Sequence, residues 1–319
     1  MSVDLLFASQ AEREVQYDAR ASVADFAGYM REYAERSAQV RARHAAVLDL
    51  QYGPGIAERL DIFLPDAMAR HGTAAPRGAT AAPDAAARSR NVAPVAGTSV
   101  PSAPVFIFIH GGYWRAQRKE DMYSFLPAFT QAGIAVVVVE YTLVPEATLA
   151  EVVREMRSAL AWLYQNAANH GLDADRFFVG GSSAGGHLAA MLMAPDWPAR
   201  YGLPDDVVKG AVALSGLFDL RPLCGTVVNS WLHLTEAQAL SLSPINLTPT
   251  RPCPLVLAVG GRETEGFKRQ TQAMKAHWQR HGMPVNEVAA PDCDHFSLLF
   301  ELGRKESDLF AATRALMMV

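Results

Sequence analysis

Residues 177–193 constrain the fold of this chain more than any other stretch. An apolar run is followed there by two glycines, by Ser183 at the centre of the frame Gly-Ser-Ser-Ala-Gly, and by a run with helical spacing. A strand, a sharp turn with a central serine and a helix, in this order, form the layout of a nucleophile elbow. An ordinary glycine-rich turn is the alternative, but the flanking strand and helix patterns favour the elbow. We therefore predict a strained backbone at Ser183, with its hydroxyl pushed out of the sheet, and we predict that a side chain at Gly181 or Gly185 would collide with the neighbouring strand or helix.

Strand and helix patterns alternate along most of the remaining chain. Apolar runs predict further strands at residues 105–109, 134–139, 209–215, 255–259 and 285–290. Helical spacing and capping signals predict helices at residues 148–171, 265–281 and 296–318. Two alternating runs, at residues 46–52 and 59–64, predict an antiparallel hairpin before them. Strands that alternate with helices form a mostly parallel sheet with helices on both faces, so the predicted class is α/β, with the hairpin at one edge.

Two segments lie outside this alternation within the single domain that we predict for residues 1–319. Residues 21–44 place four apolar side chains at helical spacing: Val23, Phe26, Met30 and Tyr33. They predict a helix that either packs on the domain or covers the active site as a lid, and we favour the lid. Residues 72–104 are rich in Ala, Pro and Arg and contain no aromatic residue. They cannot bury enough apolar surface to become ordered, so we predict a disordered insertion.

Composition argues against several classes of function. The chain carries a net charge of −4, which gives no reason to expect a nucleic-acid partner. The three cysteines, Cys224, Cys253 and Cys293, lack the spacing of metal ligands, and their odd number argues against a full disulfide framework. We see neither a basic start with a long apolar core nor a membrane-spanning run. We therefore expect a cytoplasmic protein that needs no cofactor, metal or membrane, and the sequence leaves a homodimer open.

A serine nucleophile needs a base, and the base needs an acid that orients it. Among the histidines after the elbow, His295 lies between the last predicted strand and the last helix, at the same edge of the sheet as the serine. His187 falls on the elbow helix and is expected to pack there, while His233 lies in an irregular segment from which it could serve in the pocket. His277 and His281 share one helix face, which we expect to be solvated rather than to bind a metal. We therefore assign the base to His295.

The acid is expected after the next-to-last strand, where Glu263 is our first choice and Glu265 the second. Asp292 and Asp294 are too close to His295 in sequence to reach the inner nitrogen of its ring easily. A glutamate can orient an imidazole as an aspartate does, although its extra methylene group requires a compensating backbone position.

An oxyanion hole requires two or three backbone N–H groups that point at the developing charge. The amide of Ala184, directly after the nucleophile, is expected to supply one of them. The loop after the strand at residues 105–109 is expected to supply the others, from Gly111, Gly112 or Tyr113, because glycines let the backbone come close to a substrate. The sequence leaves open which of these amides point inward.

With these residues located, the chain resembles the α/β-hydrolase superfamily and, within it, the arylformamidase (kynurenine formamidase) branch next to the hormone-sensitive-lipase-like esterases. The lipase-like esterases carry His-Gly-Gly-Gly in the oxyanion loop, whereas residues 110–114 here read His-Gly-Gly-Tyr-Trp, the arylformamidase form. The resemblance covers nearly the whole chain except residues 72–104, with further motifs at residues 141–145, 180–188, 215–220, 267–270 and 294–296. One departure is Glu263, where the family usually has aspartate.

This resemblance implies a serine hydrolase that cleaves N-formyl-kynurenine or another small aryl amide or ester without a metal. Three aromatic residues within the shared motifs are candidates for the substrate pocket: Trp114, Phe218 and Phe296. A general carboxylesterase for short acyl or aryl esters is the alternative, since the fold and the triad fix the chemistry and not the substrate. A non-catalytic, ligand-binding member of the fold is a third hypothesis, which a serine, an acid and a histidine in the correct order disfavour.

Overall fold

A mostly parallel sheet forms the centre of this protein, whose computed structural model describes residues 7, 9–70 and 102–318. Its strands are β1 (Ala46–Gln51), β2 (Arg59–Phe63), β3 (Ala103–Ile109), β4 (Ala135–Val139), β5 (Leu172–Ser182), β6 (Val208–Leu214), β7 (Leu255–Gly260) and β8 (Val285–Ala290). They lie in the order β1-β2-β4-β3-β5-β6-β7-β8. β1 pairs antiparallel with β2, and β2 with β4, while the other neighbouring pairs are parallel. The predicted α/β sheet with an antiparallel hairpin at one edge is confirmed.

Helices flank this sheet. The α-helices of the described residues are α1 (Gln10–Tyr17), α2 (Phe26–Arg43), α3 (Asp66–Arg70), α4 (Leu126–Gln131), α5 (Leu149–Asn166), α6 (Ala184–Met191), α7 (Asn229–Leu232), α8 (Glu236–Ser241), α9 (Glu265–Arg280), α10 (Leu298–Gly303) and α11 (Asp308–Met317). Every residue of β3 and β4 is buried. Because successive side chains of a strand point to opposite faces, this burial means that both faces of the sheet are covered. Among the described helices, none combines the length and the apolar character needed to cross a membrane.

The C-terminal part differs from the prediction of one helix over residues 296–318. The structure divides it into α10 and α11. α10 ends at Gly303, and Ser307 caps the start of α11 by accepting a hydrogen bond from the amide of Phe310. The hydroxyl of Ser307 also donates to the carbonyl of Glu301, which fixes the turn between the two helices. The break is therefore made by capping contacts that the apolar spacing does not reveal.

Two boundaries in the first half of the chain also differ from the prediction. The helix expected at residues 21–44 is α2, which begins at Phe26 because the side chain of Asp25 accepts a hydrogen bond from an amide of the first turn and caps it. β3 begins at Ala103, inside the insertion predicted for residues 72–104, because its first residues already pair with β5. Most of that predicted insertion lies outside the described residues.

Candidate active site

The elbow has the geometry that the sequence predicts. Ser183 lies between the end of β5 and the start of α6, with φ 58° and ψ −118°. A positive φ is strained for a residue with a side chain, at a cost of about 1–3 kcal/mol, and persists where the surroundings hold it. The amide of Ser183 donates to the carbonyl of Leu214 at 2.8 Å, which fixes the turn against β6. Ser183 is 6% exposed and borders a cavity.

Two glycines allow β5, α6 and the end of β3 to approach one another closely at the elbow. A Cβ atom on Gly185 would lie 2.0 Å from the carbonyl oxygen of Ile109, and one on Gly181 would lie 2.4 Å from the carbonyl carbon of Gly185. Real Cβ atoms do not approach backbone atoms to such distances. β5, α6 and the end of β3 can therefore pack in this way only with glycine at both positions, which confirms the predicted collision.

We expect Gly185→Ala to destabilise the fold by about 3 kcal/mol or more, because the new methyl group would collide with the backbone of β3. Thermal unfolding followed by circular dichroism measures the effect. Gly133→Ala is the matched control: Gly133 has a φ of 83° but no atom within 4 Å of an added Cβ. The cost at Gly133 is therefore backbone strain alone, about 1 kcal/mol. Equal losses of stability in the two variants would contradict the close packing of the elbow.

His295 and Glu263 form a buried pair beside the cavity. Nδ1 of His295 lies 2.6 Å from Oε2 of Glu263, and the two residues are 5% and 4% exposed. The other carboxylate oxygen of Glu263, Oε1, accepts hydrogen bonds from Ser215 Oγ at 2.5 Å and from the amide of Gly260 at 2.7 Å. A carboxylate that accepts from three donors is held in one orientation, and it keeps the imidazole proton on Nδ1. Nε2 is then the nitrogen that can accept a proton from a serine.

The other acidic candidates form contacts elsewhere. Glu265 is exposed at the start of α9 and forms an ion pair with a lysine of the same helix. Asp292 is exposed as well. Asp294 accepts hydrogen bonds from Tyr29 Oη at 2.6 Å and from two amides of the following turn. Asp294 therefore shapes the loop that carries His295, while the imidazole itself is bonded to the acid that was predicted first.

The four other histidines after the elbow have different surroundings. His187 is fully buried on α6, as predicted; burial lowers the pKa of its imidazole to about 4, although a backbone carbonyl 2.8 Å from Nε2 opposes the shift. His281 is exposed, but His277 is buried with Nε2 2.7 Å from a backbone carbonyl, so the prediction of a solvated face is wrong for His277. His233 ends α7 and borders a pocket separate from the cavity at the elbow. The described part of the chain contains no group of three or more His, Cys, Asp or Glu that could hold a metal ion.

The loop after β3, residues 110–114, and the start of α6 supply the candidate oxyanion hole. Three predicted residues of this oxyanion loop border the cavity: Gly111, Gly112 and Tyr113. Three consecutive residues from Gly112 onward have a positive φ, of 91°, 51° and 58°, so the loop backbone is turned sharply away from the direction of β3. Ala184 is the first residue of α6, and the amides of a first helical turn have no acceptor within their helix. The amides of Ala184 and of this loop therefore stay the candidate donors to the oxygen of a substrate.

A stacked pair of rings supports the oxyanion loop. The imidazole of His110 stacks on the ring of Tyr141 at 4.2 Å, and its Nε2 lies 2.7 Å from a carboxylate oxygen of Glu140. Tyr141 Oη donates to the carbonyl of Gly111 at 3.1 Å. These contacts therefore hold the loop carbonyls, and with them the loop backbone, in one orientation.

The cavity beside Ser183 has a volume of about 390 Å³, within the range of small-molecule sites. Its wall contains three side chains of α2: Phe26, Met30 and Tyr33. Phe296, which was predicted as a pocket residue, lies in the wall next to His295. The cavity is therefore bordered by the elbow, by His295 and by an aromatic surface.

Two of the predicted pocket residues do not line this cavity. Trp114 is fully buried, and its ring lies edge-on to the ring of His187 at 5.1 Å, because the positive φ values turn the loop toward α6. Phe218 is also fully buried, and its amide donates to the side chain of Gln270 at 2.8 Å. Both rings belong to the core beneath the site. The aromatic wall is formed instead by Phe296 and by α2.

The end of α1 connects two parts of the site, and the sequence pattern does not predict this helix. The carbonyl of Gln16 accepts a hydrogen bond from Thr264 Oγ1 at 2.5 Å, and its side chain accepts one from the amide of Gly266 at 2.9 Å. The carbonyl of Tyr17 accepts from Tyr113 Oη at 2.5 Å. α1 is thus bonded both to the turn that follows Glu263 and to the oxyanion loop. These contacts join segments far apart in the chain, so no local spacing indicates them.

The chain is similar to known hydrolases. The BD-FAE family matches residues 95–196. The kynurenine formamidase of Salmo salar is 27% identical over 274 residues, which cover 84% of this chain and 81% of that protein. The crystal structure of a candidate thioesterase from a Silicibacter species is 26% identical, with a TM-score of 0.74 over 97% of this chain and 99% of its own. A thermostable carboxylesterase cloned from a metagenomic library, 18% identical, has the same fold, with a TM-score of 0.65 over 98% of this chain and 99% of its own.

Proposed function

We propose, for this serine hydrolase of the α/β-hydrolase superfamily, the cleavage of a small aromatic formamide of the N-formyl-kynurenine kind. The observation that carries the proposal is one cavity in which Ser183 and His295 lie beside an aromatic wall of Phe26, Tyr33 and Phe296. A formyl group needs little space, so most of the volume of about 390 Å³ is left for an aromatic leaving group. Similarity to a kynurenine formamidase over 84% of the chain supports the same substrate class.

In the proposed reaction, Ser183 attacks the formyl carbon while His295 takes the proton of the serine hydroxyl. Glu263 holds the imidazole in position and stabilises the imidazolium that forms. The amide of Ala184 and amides of the oxyanion loop stabilise the negative charge of the tetrahedral intermediate. His295 then gives the proton to the aniline nitrogen and the arylamine leaves. A water molecule, activated by the same imidazole, releases formate from the formyl-enzyme.

We propose α2 as the lid of this cavity. Tyr29 Oη donates to a carboxylate oxygen of Asp294 at 2.6 Å, and Tyr33 Oη donates to the carbonyl of Phe296 at 2.6 Å. Both bonds join α2 to the loop that carries His295, so opening would break two hydrogen bonds and expose the aromatic wall. A closed lid would exclude water and strengthen the electrostatic interactions inside. The lid movement, like the cytoplasmic location and the homodimer, stays a prediction.

A general carboxylesterase is the alternative, because a carboxylesterase shares the fold and the same groups would cleave an ester. Hydrolysis of N-formyl-kynurenine and of p-nitrophenyl acetate by one preparation separates the two functions. The ester is intrinsically more reactive, so each kcat/KM is divided by the rate constant of uncatalysed hydrolysis of the same compound. We expect this quotient, the rate enhancement, to be at least about 100-fold larger for the formamide than for the ester. A larger enhancement for the ester would favour the esterase and contradict the proposal.

A further inference from the structure

Gln117 borders the cavity and has no role in the proposed reaction. Its φ of 69° lies in the region that favours glycine. Strained backbone of this kind clusters at active sites and ligand-binding positions. What the side chain offers a bound substrate depends on which end of its amide faces the nucleophile.

The oxygen end of the Gln117 amide faces the nucleophile. A Cβ atom placed on Gly111 would lie 3.3 Å from Oε1 of Gln117 and 3.4 Å from Cβ of Ser183. Among the described residues other than the chain neighbours of Gly111, Oε1 is the side-chain atom nearest to that position. The nitrogen end is turned toward α2, where Nε2 donates to the sulfur of Met30 at 3.8 Å. Gln117 therefore places an acceptor, and not a donor, beside Ser183.

This acceptor has no donor among the described residues. The bond to Met30 is the hydrogen bond that the structure describes for the Gln117 side chain, and it occupies Nε2. A side-chain carbonyl oxygen can accept two hydrogen bonds, and water satisfies it while the cavity is open. A ligand that fills the cavity excludes this water, and an unmade hydrogen bond then opposes binding. A ligand that brings an N–H or O–H donor to Oε1 would remove this cost.

The scissile bond of a formamide supplies such a donor. In the tetrahedral intermediate, the carbon bonded to Ser183 carries an oxyanion, a hydrogen atom and the leaving nitrogen. The oxyanion is repelled by an acceptor oxygen and is stabilised by N–H donors instead. The nitrogen of a secondary formamide carries a hydrogen, whereas the leaving oxygen of an ester carries none. Of these polar groups, the N–H is the one that Oε1 can bind.

A bond to Oε1 would also orient the nitrogen for its protonation. The leaving nitrogen must turn its lone pair toward the imidazole of His295, which gives it the proton. Its N–H must then point elsewhere in the cavity, which both His295 and Gln117 border. An acceptor that holds the N–H keeps the lone pair from rotating away from the imidazole. The oxygen of an ester needs no such control, because it has two lone pairs and no hydrogen.

We propose that Gln117 determines a specificity for amides over esters, with its side-chain oxygen accepting a hydrogen bond from the scissile N–H in the transition state. The inference rests on the proposed formamidase function and adds the residue that favours a nitrogen leaving group over an oxygen leaving group. It concerns the atom at the scissile bond and does not depend on the substituents of the aromatic ring.

Formanilide and phenyl formate test this role, because they share the formyl group and the phenyl ring and differ only in NH against O. Gln117→Met replaces the amide by a thioether, which is a weak acceptor. We expect it to lower the formanilide-to-phenyl formate ratio of kcat/KM about 10-fold. Gln117→Glu keeps an acceptor oxygen and should largely keep the wild-type ratio. Gln272→Met, the same substitution at an exposed position of α9, is the matched control and should leave the ratio unchanged.

The ratio separates a bond to the scissile N–H from a structural role. Since kcat/KM covers the steps up to the departure of the leaving group, hydrolysis of the formyl-enzyme, which both compounds share, does not enter it. If Gln117→Met lowers kcat/KM equally for both compounds, or changes neither, the inference is wrong. Equal losses of the ratio in Gln117→Met and Gln117→Glu contradict the acceptor role as well. A wild-type protein that hydrolyses phenyl formate but no aromatic formamide refutes the proposed function itself, and the inference with it.

Discussion

We expect Ser183→Ala to lower kcat/KM for a formamide or an ester about a million-fold. The substitution removes the covalent step, which the pair of His295 and Glu263 cannot replace because it acts on the proton of the serine. The fold should persist, since alanine is smaller than serine and the residue borders a cavity. The rate of Ser183→Ala relative to the uncatalysed reaction in water would then measure what the oxyanion hole and the cavity contribute without the nucleophile.

Ser182→Ala is the matched control for this measurement. Ser182 is the last residue of β5 and precedes the nucleophile, but it lies off the centre of the glycine frame. Its replacement should leave kcat/KM near the wild-type value, and a fluorophosphonate probe should label this variant but not Ser183→Ala. More than a few per cent of wild-type activity in Ser183→Ala would show that the nucleophile is another residue. A wild-type protein that the probe does not label would support the non-catalytic hypothesis instead.

The sheet and the elbow are predictable because their signals are local. The continuous apolar runs of β3 and β4 are buried at every position. Thr148 and Glu151 form the predicted capping box at the start of α5. At the elbow, glycines on both sides of Ser183 indicate a close crossing, and the serine has the positive φ that such a turn requires. Periodicity, capping residues and glycines each depend on a few neighbouring residues. In the sheet and at the elbow these local signals all predict the same structure.

The wall of the cavity depends on tertiary packing, which leaves no such signal. Trp114 and Phe296 both lie in motifs next to candidate catalytic groups, yet Trp114 packs in the core and Phe296 lines the cavity. The difference arises from the positive φ values of the oxyanion loop, which turn Trp114 toward α6. The positive φ of Gln117 likewise leaves no signal in the sequence, because glutamine is not a residue type that indicates one.

We expect Glu263→Gln to lower kcat/KM by about four orders of magnitude, as the corresponding amide does in a serine protease. The carboxylate accepts hydrogen bonds from three donors, which are His295 Nδ1, Ser215 Oγ and the amide of Gly260. A glutamine offers one oxygen instead of two, so its NH2 group must face at least one of these donors. Facing His295, it would shift the imidazole proton to Nε2, the nitrogen that must accept the proton of the serine. If the NH2 group faced Gly260 instead, two N–H donors would point at each other in a buried site, and neither would have an acceptor there.

Glu265→Gln is the matched control, with the same substitution at the other candidate acid. Glu265 is exposed in the first turn of α9, where its carboxylate pairs with Lys268 and complements the helix dipole. Its loss should lower stability only slightly and leave kcat/KM near the wild-type value, with circular dichroism to confirm folding of both variants. Equal losses of activity would contradict the assignment of Glu263. A reversed ranking would move the acid to Glu265, and α9 would then have to unwind at its start, because Glu263 and not Glu265 lies 2.6 Å from His295.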